Sequence, residues 1–117
     1  MIPAISNSLS ALLAFGKKMS VISNNVANCE SEGFKKKRAI ISEGPVQGVT
    51  VEINQINSPG PQLLEEQNGK IIQKDMSNVD LAEEIPQSLL TKRHHSANIK
   101  SFRTADETLG SVLDIIE

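Results

Sequence analysis

The chain has 117 residues and a net charge of −2 at pH 7, from 12 Lys and Arg against 14 Asp and Glu. That length allows a single domain, residues 1–117, with a modest core, and the charge gives no electrostatic case for nucleic acid or for an anionic membrane. Hydrophobic residues make up 38% and aromatic residues 3%, less than a packed enzyme core uses and better suited to polar helices that complete their burial on neighbouring chains. No apolar run approaches the length of a transmembrane helix. The start of the chain lacks the charged n-region, continuous h-region and small-residue cleavage site of a Sec signal peptide, so an extracytoplasmic destination implies another export route. The single Cys29 excludes an internal disulfide and a multi-cysteine metal site.

Taken in chain order, Ile2, Ile5, Leu9, Leu12, Gly16, Met19, Ser23 and Val26 recur at spacings of three and four, which predicts an amphipathic, coiled-coil-like helix over residues 4–27. Pro3 is compatible with its first turn. Asn24, Asn25 and Asn28 predict its end, because asparagine tolerates left-handed backbone and bonds nearby peptide groups. Gly33 follows as a turn, with Phe34 as a packing anchor beneath it. Residues 35–76 read as a short β-rich insert of two or three strands. Within it Ala39-Ile40-Ile41 is a short strand, and Val49 to Ile56 alternates apolar and polar as a strand with one buried face. Ser58-Pro59-Gly60-Pro61 ends that strand, Leu63 and Leu64 are placed against the helices, and Asn68-Gly69 turns into a last strand at Ile71-Ile72. Helical periodicity returns at Leu81, Ile85, Ser88, Lys92, His95, Ile99, Phe102, Asp106, Leu109, Leu113 and Ile116, predicting a second long helix over 79–116. Asp80 and Glu83 fit a capping box, and Glu84 adds an acid at the helix N-terminus. Pro86 conflicts with this helix: either it kinks near Glu83 or it starts at Pro86. The fold class expected is α+β, mainly α, with the two helices paired as an antiparallel hairpin or side by side.

Two stretches carry a family resemblance. Asn24-Asn25-Val26-Ala27-Asn28 is followed by Ser31, Gly33, Phe34 and Lys35, and Ser77-Asn78-Val79-Asp80 is followed by Glu84, Arg93, Ala97, Asn98, Thr104 and Asp106. Together they resemble the terminal signatures of bacterial flagellar basal-body rod proteins, the axial family that includes hook proteins. Ser31 replaces a Thr, His95 stands where the family has an aromatic residue, and Gly48-Val49-Thr50-Val51 resembles the short insert of proximal-rod members. The resemblance implies a structural subunit that polymerises through its terminal helices into the axial drive shaft for motility. It also implies partners among other rod subunits and the flagellar export apparatus, and delivery without a cleaved signal to the periplasm-spanning rod of the basal body. It implies no enzyme activity, no cofactor, no metal, no nucleic acid and no direct lipid binding. The motif residues implied to serve assembly are Asn24, Asn25, Val26, Ala27, Asn28, Gly33, Phe34, Ser77, Asn78, Val79, Asp80, Glu84, Ala97, Asn98 and Asp106.

Other readings are weaker on the residues themselves. His94 and His95 point about 100° apart on a helix and make poor partners for one ion. Lys35-Lys36-Lys37-Arg38 reads as a solvated loop or strand edge rather than a phosphate site. Cys29 reads as a bystander thiol, and Asp80, Glu83 and Glu84 as helix-capping acids rather than a catalytic pair. A small helical adaptor or export-chaperone-like binding protein is the alternative function, and a hydrolase or metal enzyme using His94 or His95 a third. Lys92, Arg93, His95, Lys100 and Arg103 form a basic belt between acidic ends, Asp80–Glu84 and Asp106–Glu117, which suits charge pairing between staggered chains.

Overall fold

A computed structural model describes residues 2–116; Met1, and Glu117 at the end of the acidic segment noted above, lie outside the described residues. Helix α1 spans Ile2–Ala27. It is followed by strands β1 (Lys37–Glu43), β2 (Val49–Gln55), β3 (Gln62–Gln67) and β4 (Lys70–Asp75), and then by helix α2 (Leu81–Ile116). Two long terminal helices thus enclose a small antiparallel β insert, the mainly helical α+β class expected from the sequence. At 1.5 Å per residue, α1 is ~39 Å long and α2 ~54 Å.

The helices run antiparallel. Asn25 meets Glu84, the Phe15 and His94 rings lie 5.1 Å apart, and Ala4 shares a surface hollow with Thr104 and Ala105. Both inward lines are heptads. On α1 they are Ser8, Ala11, Phe15, Lys18, Ile22 and Asn25; on α2 they are Glu84, Ser88, Thr91, His95, Asn98, Phe102, Ala105 and Leu109, all buried or half-buried. The α1 line falls one residue before the seam that hydropathy predicts, a rotation of ~100°. On α2 part of the expected seam is kept: Ser88, His95, Ile99, Phe102 and Leu109 are half-buried, whereas Leu81, Ile85, Lys92, Asp106, Leu113 and Ile116 are exposed. The physical reason is the polar pairing of Asn25 with Glu84 at one end, together with small residues along α1 that admit close approach. The leucine-rich line of α1 is therefore turned out, with Ile2, Leu9 and Leu13 respectively 74%, 50% and 63% exposed. Only Ala14, Ile22 and Ala39 form a buried apolar core among the described residues, beside buried Asn25, Ser77, Glu84 and Thr91.

Helix α2 starts with Asp80 as its N-cap: Asp80 Oδ1 accepts from the Ala82 N–H at 3.0 Å, and the Asp80 carbonyl accepts from Glu84 N–H at 3.0 Å. The reciprocal half of a capping box does not form, because the Glu83 carboxylate instead reaches Lys36 and Arg38. Pro86 does not begin the helix. It sits inside it, five residues after Leu81, where the hydrogen bond it cannot donate would have gone to the carbonyl of exposed Ala82, which water can serve.

The insert has four strands in two separate hairpins rather than two or three strands. In the first, β1 pairs β2 from Lys37↔Gln55 to Glu43↔Val49, and this hairpin lies on α1, with Ala39 buried. Ser10 fixes its position: the Ser10 hydroxyl donates to the Val49 carbonyl at 2.9 Å and accepts from the Val49 N–H at 3.0 Å. The alternating face of β2 is only partly covered, with Val49 and Val51 half-buried and Ile53 exposed. In the second hairpin, β3 pairs β4 across Asn68-Gly69, both at positive φ (54° and 77°), the mirror-image turn their sequence favours. Leu63 and Leu64 belong to β3 and are exposed; they do not pack on the helices. Among the described residues this second hairpin packs on no other strand or helix, and it projects from the loops that anchor it. The molecule measures 83 × 25 × 18 Å with a radius of gyration of 20.8 Å, against ~13 Å for a compact domain of this length.

Candidate functional site: a polar junction between the two terminal motifs

The two motifs, some fifty residues apart in sequence, meet where α1 ends and α2 begins. Asn28 closes α1. Its N–H donates to the carbonyls of Asn24 (3.2 Å) and Asn25 (3.1 Å), its side-chain amide donates to the Asn24 carbonyl (2.8 Å), and Ser31 donates to Asn28 Oδ1 (3.0 Å). Gly33, at φ 67°, then turns the chain and donates its N–H to the Asp75 carbonyl at 2.8 Å. Phe34 is half-buried in this turn, and its carbonyl accepts from the Asn78 N–H at 3.3 Å.

Asn25 acts as a one-residue strand partner for β1. Its side chain donates to the Lys37 carbonyl at 2.8 Å and accepts from the Lys37 N–H at 3.1 Å, and it also donates to Glu84 Oε2 at 3.3 Å. Asn78 performs the matching task on the next turn of chain. It accepts from the Lys36 N–H at 2.6 Å and donates to the Ile56 and Ser58 carbonyls at 2.8 and 2.9 Å. Two asparagines, one from each motif, thereby hold the open end of the β1–β2 hairpin, where Lys37 pairs with Gln55, while Ser10 holds the other end at Val49. Buried Ser77 accepts from the Val79 N–H at 3.2 Å. Alongside, Gly60 passes so close to the Met76–Ser77 backbone that an added Cβ would lie 2.2 Å from the Met76 carbonyl oxygen.

Glu84 is fully buried. It stands in the first turn of α2, as an acid at a helix N-terminus should, and its carboxyl group is also enclosed at the crossing of α1, α2 and β1. Arg38 lies 3.6 Å from its Oε1, an atom without a hydrogen-bond partner, and Lys36 and Arg38 reach the neighbouring Glu83 at 3.2 and 2.6 Å. A buried carboxylate needs such a cation, since removing the partner leaves an uncompensated charge. Within the basic run, Lys36 and Arg38 are thus partners for the acidic start of α2 and not merely a solvated edge. Sequence reasoning missed this, although a basic run and an acidic pair were the available signal.

The remaining motif residues take no side-chain part in the junction. Val26, Ala27 and Gly33 are exposed and Val79 half-buried. Ala97, Asn98 and Asp106 sit beyond Glu84 by more than three turns of α2. Asn98 turns its amide back onto the His94 carbonyl at 2.9 Å, and Ala97 and Asp106 are exposed. In the belt, Lys92, Arg93, Lys100 and Arg103 are exposed and enter none of the ion pairs among the described residues. One of the two expected acidic ends, at Glu83 and Glu84, is already engaged within the chain. His94 faces Phe15, and among the described residues no three of His, Cys, Asp or Glu converge as a metal set. At the base of β4, the Glu65 carboxylate beside Lys74 raises its ammonium above the ordinary value of 10.5, with Glu32 adding to the effect.

What the junction does is hold geometry: it sets where two helices and one hairpin meet and satisfies peptide groups that a loop would leave open. The motif residues on which it is built fall within the two regions that match known families. Residues 5–35 match the flagella basal body rod protein family, and residues 75–115 match the flagellar basal body rod FlgEFG protein C-terminal family. No curated protein matches the chain. The two family regions stand at the expected ends, in the expected order, and together span more than half of the sequence, so the chain belongs to the flagellar basal-body rod proteins.

Proposed function

We propose that this rod-family chain is a structural subunit that polymerises through α1 and α2 into the axial shaft of the rod, carrying torque from the inner-membrane rotor to the distal rod. Family membership places a structural role in the flagellar basal body, in company with other rod components. The finer reading rests on one observation: the apolar lines of both helices are left open. Leu9 and Leu13 on α1 and Leu89, Leu90, Val112 and Leu113 on α2 are all exposed, and the accessible surface of 8154 Å² exceeds the ~6,200 Å² of a monomeric globule of this mass. The difference is of the order that a stable protein–protein interface buries. Delivery through the flagellar export apparatus and a position across the periplasm belong to the same proposal, as does the absence of catalysis and of nucleic-acid or lipid binding.

Sedimentation and electron microscopy of the purified chain test it. Extended rods that lengthen with concentration are expected; a chain that remains a monomer or a closed small oligomer at every concentration contradicts polymerisation. In cells, loss of the export apparatus is expected to remove the protein from basal bodies.

A further inference from the structure

We infer that the last two turns of α2 of one copy, Leu109–Ile116, dock in the trough between α1 and β2 of the next copy. This rests on the polymerisation reading and names its contact. The antiparallel alignment that pairs Asn25 with Glu84 and Phe15 with His94 brings Ile2 level with Glu107. Helix α2 then continues past it, with only half-buried Leu109 still turned toward α1. Leu109, Val112, Leu113 and Ile116 fall on one stripe of that extension at i, i+3, i+4 and i+7, and the last three are 39%, 53% and 76% exposed. Asp106, Glu107 and Asp114 accompany the stripe, all exposed and in none of the ion pairs among the described residues.

The trough has the complementary character. Two adjoining hollows of about 510 and 650 Å³ run beside α1, sharing Leu13, Lys17 and Val51. Leu9, Leu12 and Leu13 form one side and Val51 and Ile53 the other. Gly16, with nothing within 4 Å of where a Cβ would stand, and Ser20 leave room between them for large side chains. From Ser6 to Asn24 the trough is ~27 Å long against ~12 Å for the docking segment. Its charge is opposite to that segment: exposed Lys17 lines both hollows, α1 carries no acid, and exposed Lys37 stands at the far end.

The basic belt on α2 is the competing surface. It holds more charge, in Lys92, Arg93 and Lys100, but its hollow offers only Leu89 and Ala97 as apolar floor. Val112, Leu113 and Ile116 would there be laid on charged stems, whereas the α1–β2 trough buries them among aliphatic side chains. A chain cannot fill its own trough, because its α2 end points away beyond Ile2. The contact is therefore heterologous and repeats from copy to copy, the arrangement that builds an open helical polymer rather than a closed ring pair.

Disulfide trapping tests it. In a Cys29→Ser background, an isotope-labelled Leu13→Cys chain is mixed under assembling conditions with an unlabelled Leu113→Cys chain, oxidised, and the cross-links are weighed by mass spectrometry. All three positions used, Leu13, Leu113 and the control Leu89, are exposed, so circular dichroism should match the parent. The mixed Leu13→Cys/Leu113→Cys link is expected to exceed the Leu89→Cys/Leu113→Cys link by about tenfold or more. If the Leu89 link predominates, or neither forms while the parent still sediments as a polymer, the trough is not the docking site and polymerisation stands. If the parent never assembles, both readings fall together.

Discussion

The junction and the far end of α2 are opposites. At the junction, Asn25, Ser77 and Glu84 are buried, and nearly every side-chain polar atom has a partner inside the chain. At the far end, Val112, Leu113, Ile115 and Ile116 are exposed with no partner among the described residues. A monomeric globule is built the other way, with apolar residues inside and paired polar groups at the rim. Here polar contacts position the parts of one subunit, and apolar surface is kept for contact between subunits.

The largest effect is expected from Asn25→Ala. It leaves the Lys37 N–H and carbonyl and one Glu84 oxygen without the amide that serves them, so a loss of about 3 kcal/mol or more is expected in urea denaturation. The neighbouring exposed Val26→Ala should stay within roughly 0.5 kcal/mol. Equal effects from the two would remove the junction from its central place. Gly60→Ala comes next. Its methyl group meets backbone and not a movable side-chain tip, and a loss of about 2 kcal/mol is expected by the same measurement, in the range of overpacked sites.

Leu113→Ser with Ile116→Ser probes the other region. Both residues are more than half exposed, so the melting curve of the unassembled chain should barely move. The concentration needed for assembly, read by sedimentation, should rise about tenfold, equivalent to ~1.4 kcal/mol of lost contact. A matching drop in monomer stability with unchanged assembly would reverse the contrast drawn above. The smallest effect is expected at Lys74. Because the nearby Glu65 carboxylate raises its folded value above 10.5, any stability it adds to the β3–β4 hairpin is complete below that pH and is lost as pH rises through the folded value. The carbon-13 shift of its Cε should titrate with a midpoint above 10.5, moving back toward 10.5 in Glu65→Gln.

Much of the local structure was legible in the residues. Threes-and-fours spacing marks both helices, alternation marks β2, and Asn68-Gly69 marks a hairpin turn, whereas nothing in the pattern around Leu63 and Leu64 separates strand β3 from residues packed on a helix. The helix stop at Asn28 and the cap at Asp80 also follow from local chemistry. Less was legible at the candidate site. The motif residues were singled out, but nothing within a few residues of Asn25 or Glu84 indicates that one will complete a strand and the other lie buried between three elements.

By itself, then, the sequence determined the helices, their ends, the turns and the family, because each depends on interactions within a few residues or on a local motif. Only the tertiary structure decided which side of α1 meets α2, one residue away from the hydrophobic seam, and with it which leucines remain outside. Hydropathy ranks positions by their affinity for water alone. The face that wins is set by pairings over long sequence distances, Asn25 with Lys37 and Glu84, Ser10 with Val49, Asn78 with Lys36, and those exist only once the chain has brought its two ends together.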